Sequence, residues 1–189
     1  MAAKIAIVYS SRHGHVRAIA ERLAEIASVR NVECNVVDVR LVGDALASCD
    51  AAIVAGSVHF GRHSRPLRRF VERKLAWLSA NPSAFISVSG SAASLEGIPK
   101  ASQYIDDFVR DTGWDPDMTL SAAGAVLYTK YDPFTRLMMK FASRTAGRET
   151  DTSRDVVYTN WVAVDEFMHQ FIDTLERHAC AANEKRAHA

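Results

Sequence analysis

Between the apolar run "KIAIV" and the helical-looking "AIAERLAEIA", residues 9–17 read "YSSRHGHVR". Hydroxyls, a glycine and several basic side chains crowd what reads as a turn from a strand into a helix. Such a turn can bind an anion, because the first helical N–H groups have no intrahelical partner and lie at the positive end of the helix dipole. Phosphate is the expected guest, held by Ser10, Ser11, Arg12, His13, Gly14, His15 and Val16. Serine before a helix is also an ordinary N-cap and glycine an ordinary turn residue. The turn by itself does not decide between these readings.

Two further segments share its Gly/Ser-rich character: "GSVHFGRHS" at Gly56–Ser64 and "SVSGSAASLEGIP" at Ser87–Pro99. Glycines let backbone amides approach a ligand with no Cβ in the way, and His59 and Phe60 can flank a flat ring. Ser57, Val58, His59, Phe60 and Gly61 are therefore expected on one side of such a ring, with Ser87, Val88, Ser89, Gly90 and Ser91 on another. One phosphate loop and two ring-contacting loops suit flavin mononucleotide, FMN. His59 is the best single residue for proton handling, since its reference pKa lies near neutrality. A loop histidine with no such role is the plainer reading of it. Arg62, His63 and Arg65 follow in position to attract anionic groups, or simply form a solvated entrance to a helix.

These loops need a scaffold that brings them to one edge. Short apolar runs at Lys4–Tyr9, Val32–Val39, Ala51–Ser57, Ser83–Ser89 and Met118–Tyr128 alternate with helical patterns. That alternation implies right-handed βαβ units and a parallel sheet. Central runs that are apolar throughout are expected of strands covered on both faces. The fold class is α/β, a three-layer doubly wound sheet of five parallel strands in the order 2-1-3-4-5, which binds ligands at the carboxyl ends of its strands beside the topological switch. Helical periodicity aligns Ile19, Leu23 and Ile26. Ser64 can cap a second helix entered through Pro66, and a last helix from about Asn160 buries Trp161, Val164, Phe167, Met168, Phe171, Ile172 and Leu175. One domain over residues 1–180 is expected, with a frayed tail after Cys180.

Composition narrows the function. With 189 residues, the chain can bury about 70% of its unfolded surface without disulfides. Its three cysteines form no framework and no metal-ligand spacing, so no metal site is expected. The 23 basic and 22 acidic residues create no global field for nucleic acid, nor the acidic face useful to a small electron carrier. No apolar run reaches the roughly 18 residues of a spanning helix, and no signal-peptide pattern opens the chain, so a cytoplasmic protein is expected.

The turn resembles the phosphate signature of flavodoxins through Ser11 and Gly14, with His13 and Val16 in place of two threonines. Two hydroxyl donors are thereby missing, leaving backbone amides, Ser10, Ser11 and the basic side chains to hold a phosphate. The longer segments "PSAFISV" (Pro82–Val88), "WDPD" (Trp114–Asp117), "AGAVLYTKYDPFTRLMMK" (Ala123–Lys140) and "GRETDTSRDVVYTNW" (Gly147–Trp161) resemble the flavodoxin-like, quinone-dependent protoporphyrinogen IX dehydrogenase family of bacterial haem synthesis. That resemblance implies FMN, protoporphyrinogen IX as substrate, menaquinone or ubiquinone as acceptor, and peripheral association with the inner face of the cell membrane. Oxidation of the porphyrinogen to protoporphyrin removes six electrons, hence three cycles of flavin reduction and reoxidation. A flavodoxin-type electron carrier and an NAD(P)H:quinone or FMN reductase are the rival functions, and a homo-oligomer stays open.

Residues 129–154 form an insertion that a minimal flavodoxin-like sheet does not require. There Asp132 can cap a helix whose apolar stripe is Phe134, Leu137, Met138 and Phe141, beside a basic stripe of Arg136, Lys140 and Arg144. Such a helix can bury its apolar stripe against the domain. It can equally meet the substrate, or rest on an anionic membrane surface with its cations toward headgroups.

Overall fold

The computed structural model describes residues 3–126 and 156–187. Among the described residues eight strands run in chain order: β1 Lys4–Ser10, β2 Glu33–Asp38, β3 Ala51–His59, β4 Arg62–His63, β5 Ser83–Ser89, β6 Met118–Ala123, β7 Ala125–Val126 and β8 Val156–Val157. The helices are α1 His15–Val29, α2 Arg65–Ala80, α3 Ile98–Thr112 and α4 Trp161–Ala187. The five long strands are parallel and ordered β2-β1-β3-β5-β6, the 2-1-3-4-5 arrangement expected of the apolar runs.

Alternation along each strand divides the interior into two layers. From β1, Ile5 and Ile7 join Ile19 and Leu23 of α1 and Phe167, Met168 and Phe171 of α4 on one face. Ala6 and Val8 join Leu67 and Phe70 of α2 and Phe108 of α3 on the other. Both faces of the central strands are thus buried, which is why their sequences are apolar throughout rather than alternating. Ser64 caps α2 by accepting from the Leu67 N–H at 3.4 Å, and Pro66 occupies the first turn, where its missing N–H costs nothing. Asn160 caps the start of α4 through its Oδ1, 3.2 Å from the Ala163 nitrogen. Ion pairs from Arg22 to Asp165 at 2.6 Å and from Arg30 to Asp173 and Glu176 at 2.6 and 3.0 Å tie α1 to α4.

Three features depart from the expected elements. First, β3 continues past Ser57 and turns back at Phe60-Gly61 to pair antiparallel with β4, making a hairpin where a loop was expected. Second, the expected strand to Tyr128 breaks at Gly124: β6 ends at Ala123, and Ala125–Val126 leave the main sheet to pair antiparallel with Val156–Val157. Third, α4 continues to Ala187 in place of a frayed tail after Cys180. The segment "AANEKRA" contains good helix formers and neither Gly nor Pro, so nothing in it stops the helix. The insertion at 129–154, with Phe134, Arg136, Leu137, Met138, Lys140, Phe141 and Arg144, lies outside the described residues. No helix among the described residues is long and apolar enough to cross a membrane.

Candidate functional site

The loops after β1, β3 and β5 emerge together because these three strands are adjacent and parallel, in the register Ser10↔Gly56↔Ser87. The edge is therefore assembled by topology, and the side chains on it decide what it can hold.

The first turn leaves helical amides without a side-chain cap. Gly14 precedes α1 with φ 91° and ψ −12°, a left-handed conformation, and no side-chain oxygen caps the helix. The leading amides of α1 are left to face a ligand at the positive end of a 15-residue helix. Ser11 Oγ accepts from the Gly14 N–H at 3.0 Å, so the hydroxyl proton remains to be given outward. Ser10 and Ser64 hydroxyls lie 2.7 Å apart, linking this turn to the cap of α2. Arg12 is exposed. Val16 is buried at 2% exposure in the α1–α4 layer, so its backbone N–H is the part that remains for a ligand. His15 also departs from expectation: its ring is turned away to Thr159, with Nε2 2.6 Å from Thr159 Oγ1.

The second segment ends in a two-residue hairpin whose tip is strained. Phe60 has φ 50° and Gly61 φ 77°, the pair of left-handed residues that a tight hairpin with native strand twist requires. Glycine takes this conformation freely, whereas a phenylalanine in it costs about 1 kcal/mol or more. Phe60 is nevertheless 100% exposed. A strained, fully solvated aromatic ring gains nothing for the fold, and a ring ligand or apolar surface packed on it would recover its burial. Behind it His59 Nε2 lies 3.1 Å from Ser57 Oγ, and its ring stands edge-on to His13 with centroids 6.0 Å apart. Burial lowers the His59 pKa, helped by the positive charge of Arg12 and by His13. Both effects favour the neutral imidazole, the form that can accept a proton.

His63 does not share the rim with Arg62 and Arg65. It is buried at 8% exposure, edge-on to Phe85 and Phe108, with Nε2 3.1 Å from Ser87 Oγ. Ser87 is fully buried and Val88 is 3% exposed, so neither side chain reaches a ligand at the edge. Ser89 is equally buried at 3% exposure, which leaves exposed Gly90 and half-buried Ser91 as the residues of the third segment at this edge. There Ser89 Oγ accepts from the Ala92 N–H at 3.3 Å, and the turn is held tightly against Gly97, where a Cβ would lie 2.0 Å from the Ser91 carbonyl oxygen. Pattern reasoning does not pick out Thr159, and Trp161, expected on the buried face of the last helix, is instead 36% exposed beside His15. They are distant in sequence and belong to no loop that follows a strand of the parallel sheet.

Large apolar side chains are also exposed along this edge. Leu41 follows β2, Phe60 tips the β3–β4 hairpin, Leu95 lies between β5 and α3, Ile98 opens α3, and Trp161 and Val162 open α4. The cations Arg12, Arg62, Arg65 and Lys100 are exposed among them.

A flavodoxin-domain model matches residues 6–153 of the chain. The "Protoporphyrinogen IX dehydrogenase [quinone]" of Leishmania major is 32% identical over 171 residues, 89% of this chain and 74% of that one. The protein of the same name from Escherichia coli K12 is 31% identical over 169 residues, 88% of this chain and 93% of that one. Among solved structures, a short-chain flavodoxin associated with a non-canonical PDU bacterial microcompartment superposes with a TM-score of 0.56 at 13% identity, covering 92% of this chain and 99% of that one.

Proposed function

Because the chain belongs to the flavodoxin-domain family, and within it to the quinone-linked protoporphyrinogen IX dehydrogenases, we propose that it is an enzyme oxidising protoporphyrinogen IX to protoporphyrin IX and passing the electrons to a quinone. The observation that carries this reading is identity of 31–32% over 88–89% of the chain to dehydrogenases of that name.

FMN is the flavin that suits the site. The uncapped α1 behind left-handed Gly14, with the Ser11 hydroxyl beside it, fits a phosphate, and the exposed Phe60 fits a flat ring. When bound, the flavin supplies two-electron chemistry, taking hydride equivalents from the porphyrinogen and returning electrons to menaquinone or ubiquinone. The chain's own residues supply the rest. Backbone amides of residues 15–17 and the Ser11 hydroxyl hold the phosphate. Ser57–Gly61 and Gly90–Ser91 border the ring, and His59 accepts a proton released at the edge. Arg12, Arg62 and Arg65 offer cations to the substrate's propionates.

The test is anaerobic turnover. Protoporphyrinogen with FMN-loaded protein and a quinone is expected to yield protoporphyrin fluorescence well above the uncatalysed rate. If no quinone supports acceleration and a partner protein is reduced instead, the electron-carrier function replaces this one.

A lipid-soluble acceptor places the work at a membrane, and the exposed apolar rim with its interspersed cations suits an anionic bilayer surface. The stripe Phe134, Leu137, Met138 and Phe141 beside Arg136, Lys140 and Arg144 fits the same surface or the substrate. Replacing Leu95 and Val162 by Ser removes apolar area worth about 1.5–3 kcal/mol per side chain when fully buried. Binding to anionic vesicles should fall by about tenfold or more in sedimentation. Unchanged binding would remove the rim from the membrane-contact reading.

A further inference from the structure

A short hydrogen-bond chain joins the anion-binding turn to a part of the molecule that no flavodoxin-like loop explains. Thr159 Oγ1 lies 2.7 Å from the Ala123 carbonyl oxygen, which can only accept, so the hydroxyl proton is committed there. The same oxygen lies 2.6 Å from His15 Nε2 and must accept from it, which makes His15 an Nε2–H donor. Burial lowers the His15 pKa, in keeping with a neutral ring held in that single tautomer. Thr159 is 9% exposed, and Trp161 stands edge-on to His15 with centroids 6.1 Å apart.

Three separate elements meet at this chain. His15 is the first residue of α1, and its own backbone amide is one of those left for an anion. Ala123 ends β6 and leads through Gly124 into β7. Thr159 follows β8, and beside it the Tyr158 N–H donates to the Gly124 carbonyl at 3.3 Å. The β7–β8 ribbon, in register Ala125↔Val157 and Val126↔Val156, is the place where the chain leaves for residues 127–155 and returns.

We propose that His15 and Thr159 are positioning residues that couple the anion-binding turn to the β7–β8 ribbon. An anion held by the turn's amides then also fixes the β7–β8 ribbon. The proposal rests on the reading that the turn holds the phosphate of FMN. An anion orders the first turn of α1, the ordered turn holds the His15 ring, and the ring holds Thr159 against Ala123. Because equilibrium coupling is reciprocal, order in the ribbon strengthens anion binding by the same factor.

Amide hydrogen exchange on the full chain tests this, with FMN and riboflavin as probes that differ only in the phosphate. FMN should slow exchange at the Tyr158 amide about tenfold beyond riboflavin at equal saturation. Thr159→Val should abolish that difference and Thr159→Ser restore it, while FMN affinity falls in Thr159→Val by no more than about tenfold. The comparison of FMN with riboflavin needs no variant, so it stands even if Thr159→Val fails to fold. FMN that does not bind the wild-type chain overturns the phosphate reading itself. FMN that binds while leaving Tyr158 exchange as riboflavin leaves it, or protection that survives in Thr159→Val, overturns the coupling alone.

Discussion

Gly14→Val is expected to weaken FMN binding by at least about a hundredfold while leaving riboflavin binding nearly unchanged. The residue sits at φ 91°, and its carbonyl accepts the first hydrogen bond of α1, from Ala18 N at 3.1 Å. A left-handed conformation costs an L-residue roughly 1–2 kcal/mol, and a β-branched side chain is a pronounced outlier there. Valine would relax toward negative φ, redirecting the amide that Ser11 Oγ now accepts from and turning the leading amides of α1 away from a common point. The loss is confined to the phosphate contact, because the proposed ring contacts from Ser57–Gly61 and Gly90–Ser91 belong to other loops. A hundredfold change corresponds to about 2.7 kcal/mol. Fluorescence titration with each flavin, on protein whose far-ultraviolet circular dichroism matches wild type, measures it. Equal weakening of FMN and riboflavin would show that the substitution damages the site generally. Undiminished FMN affinity would move the phosphate elsewhere.

The parts of this site legible in sequence were those governed by local pattern. Apolar runs separated by amphipathic periods identify buried parallel strands and their covering helices, and the strand order then brings three loops to one edge. "SSRHGH" is readable as an anion turn because uncapped amides follow from any helix start that lacks a suitable side chain. The direction in which a side chain turns at such an edge is set by partners distant in sequence. His15 turns to Thr159, and Ser87 is enclosed by His63, contacts across 144 and 24 positions. No periodicity carries them. The hairpin at Phe60-Gly61 escaped for a different reason. Asn-Gly or Gly-Gly signals such a turn, and Phe-Gly contradicts the usual preference. A local rule broken without benefit to the fold points to use by a ligand or surface.

Acid should loosen the same rim through His63, and the direction of the effect follows from its pKa. Burial, with a smaller contribution from the Arg68 charge, lowers the His63 pKa from 6.5 to about 4. The unfolded chain therefore binds a proton at a higher pH than the folded chain does. Stability is complete above pH 6.5 and falls as the pH drops from there toward 4, below which this group adds no further loss. A shift of that size amounts to about 3 kcal/mol over the whole window. The facing groups explain why a charge is excluded. Phe85 and Phe108 flank the ring, Ser87 Oγ lies 3.1 Å from Nε2, and Arg68 is the nearby cation. His63 is also half of the two-residue strand that pairs with Val58 and His59. Protonation therefore strains the hairpin that presents Phe60, as well as the packing of α2 and α3. Urea unfolding at pH 7 and pH 4.5 should show wild type losing about 2.5 kcal/mol more than His63→Phe between the two conditions. His59 and His15, whose pKa values are also lowered by burial, add losses of the same sign in both proteins and cancel in the comparison. The variant carries its own cost at all pH values, because Ser87 Oγ loses its partner inside the sheet. It is the pH-dependent difference that identifies His63, and equal slopes in the two proteins would assign the acid sensitivity to other groups.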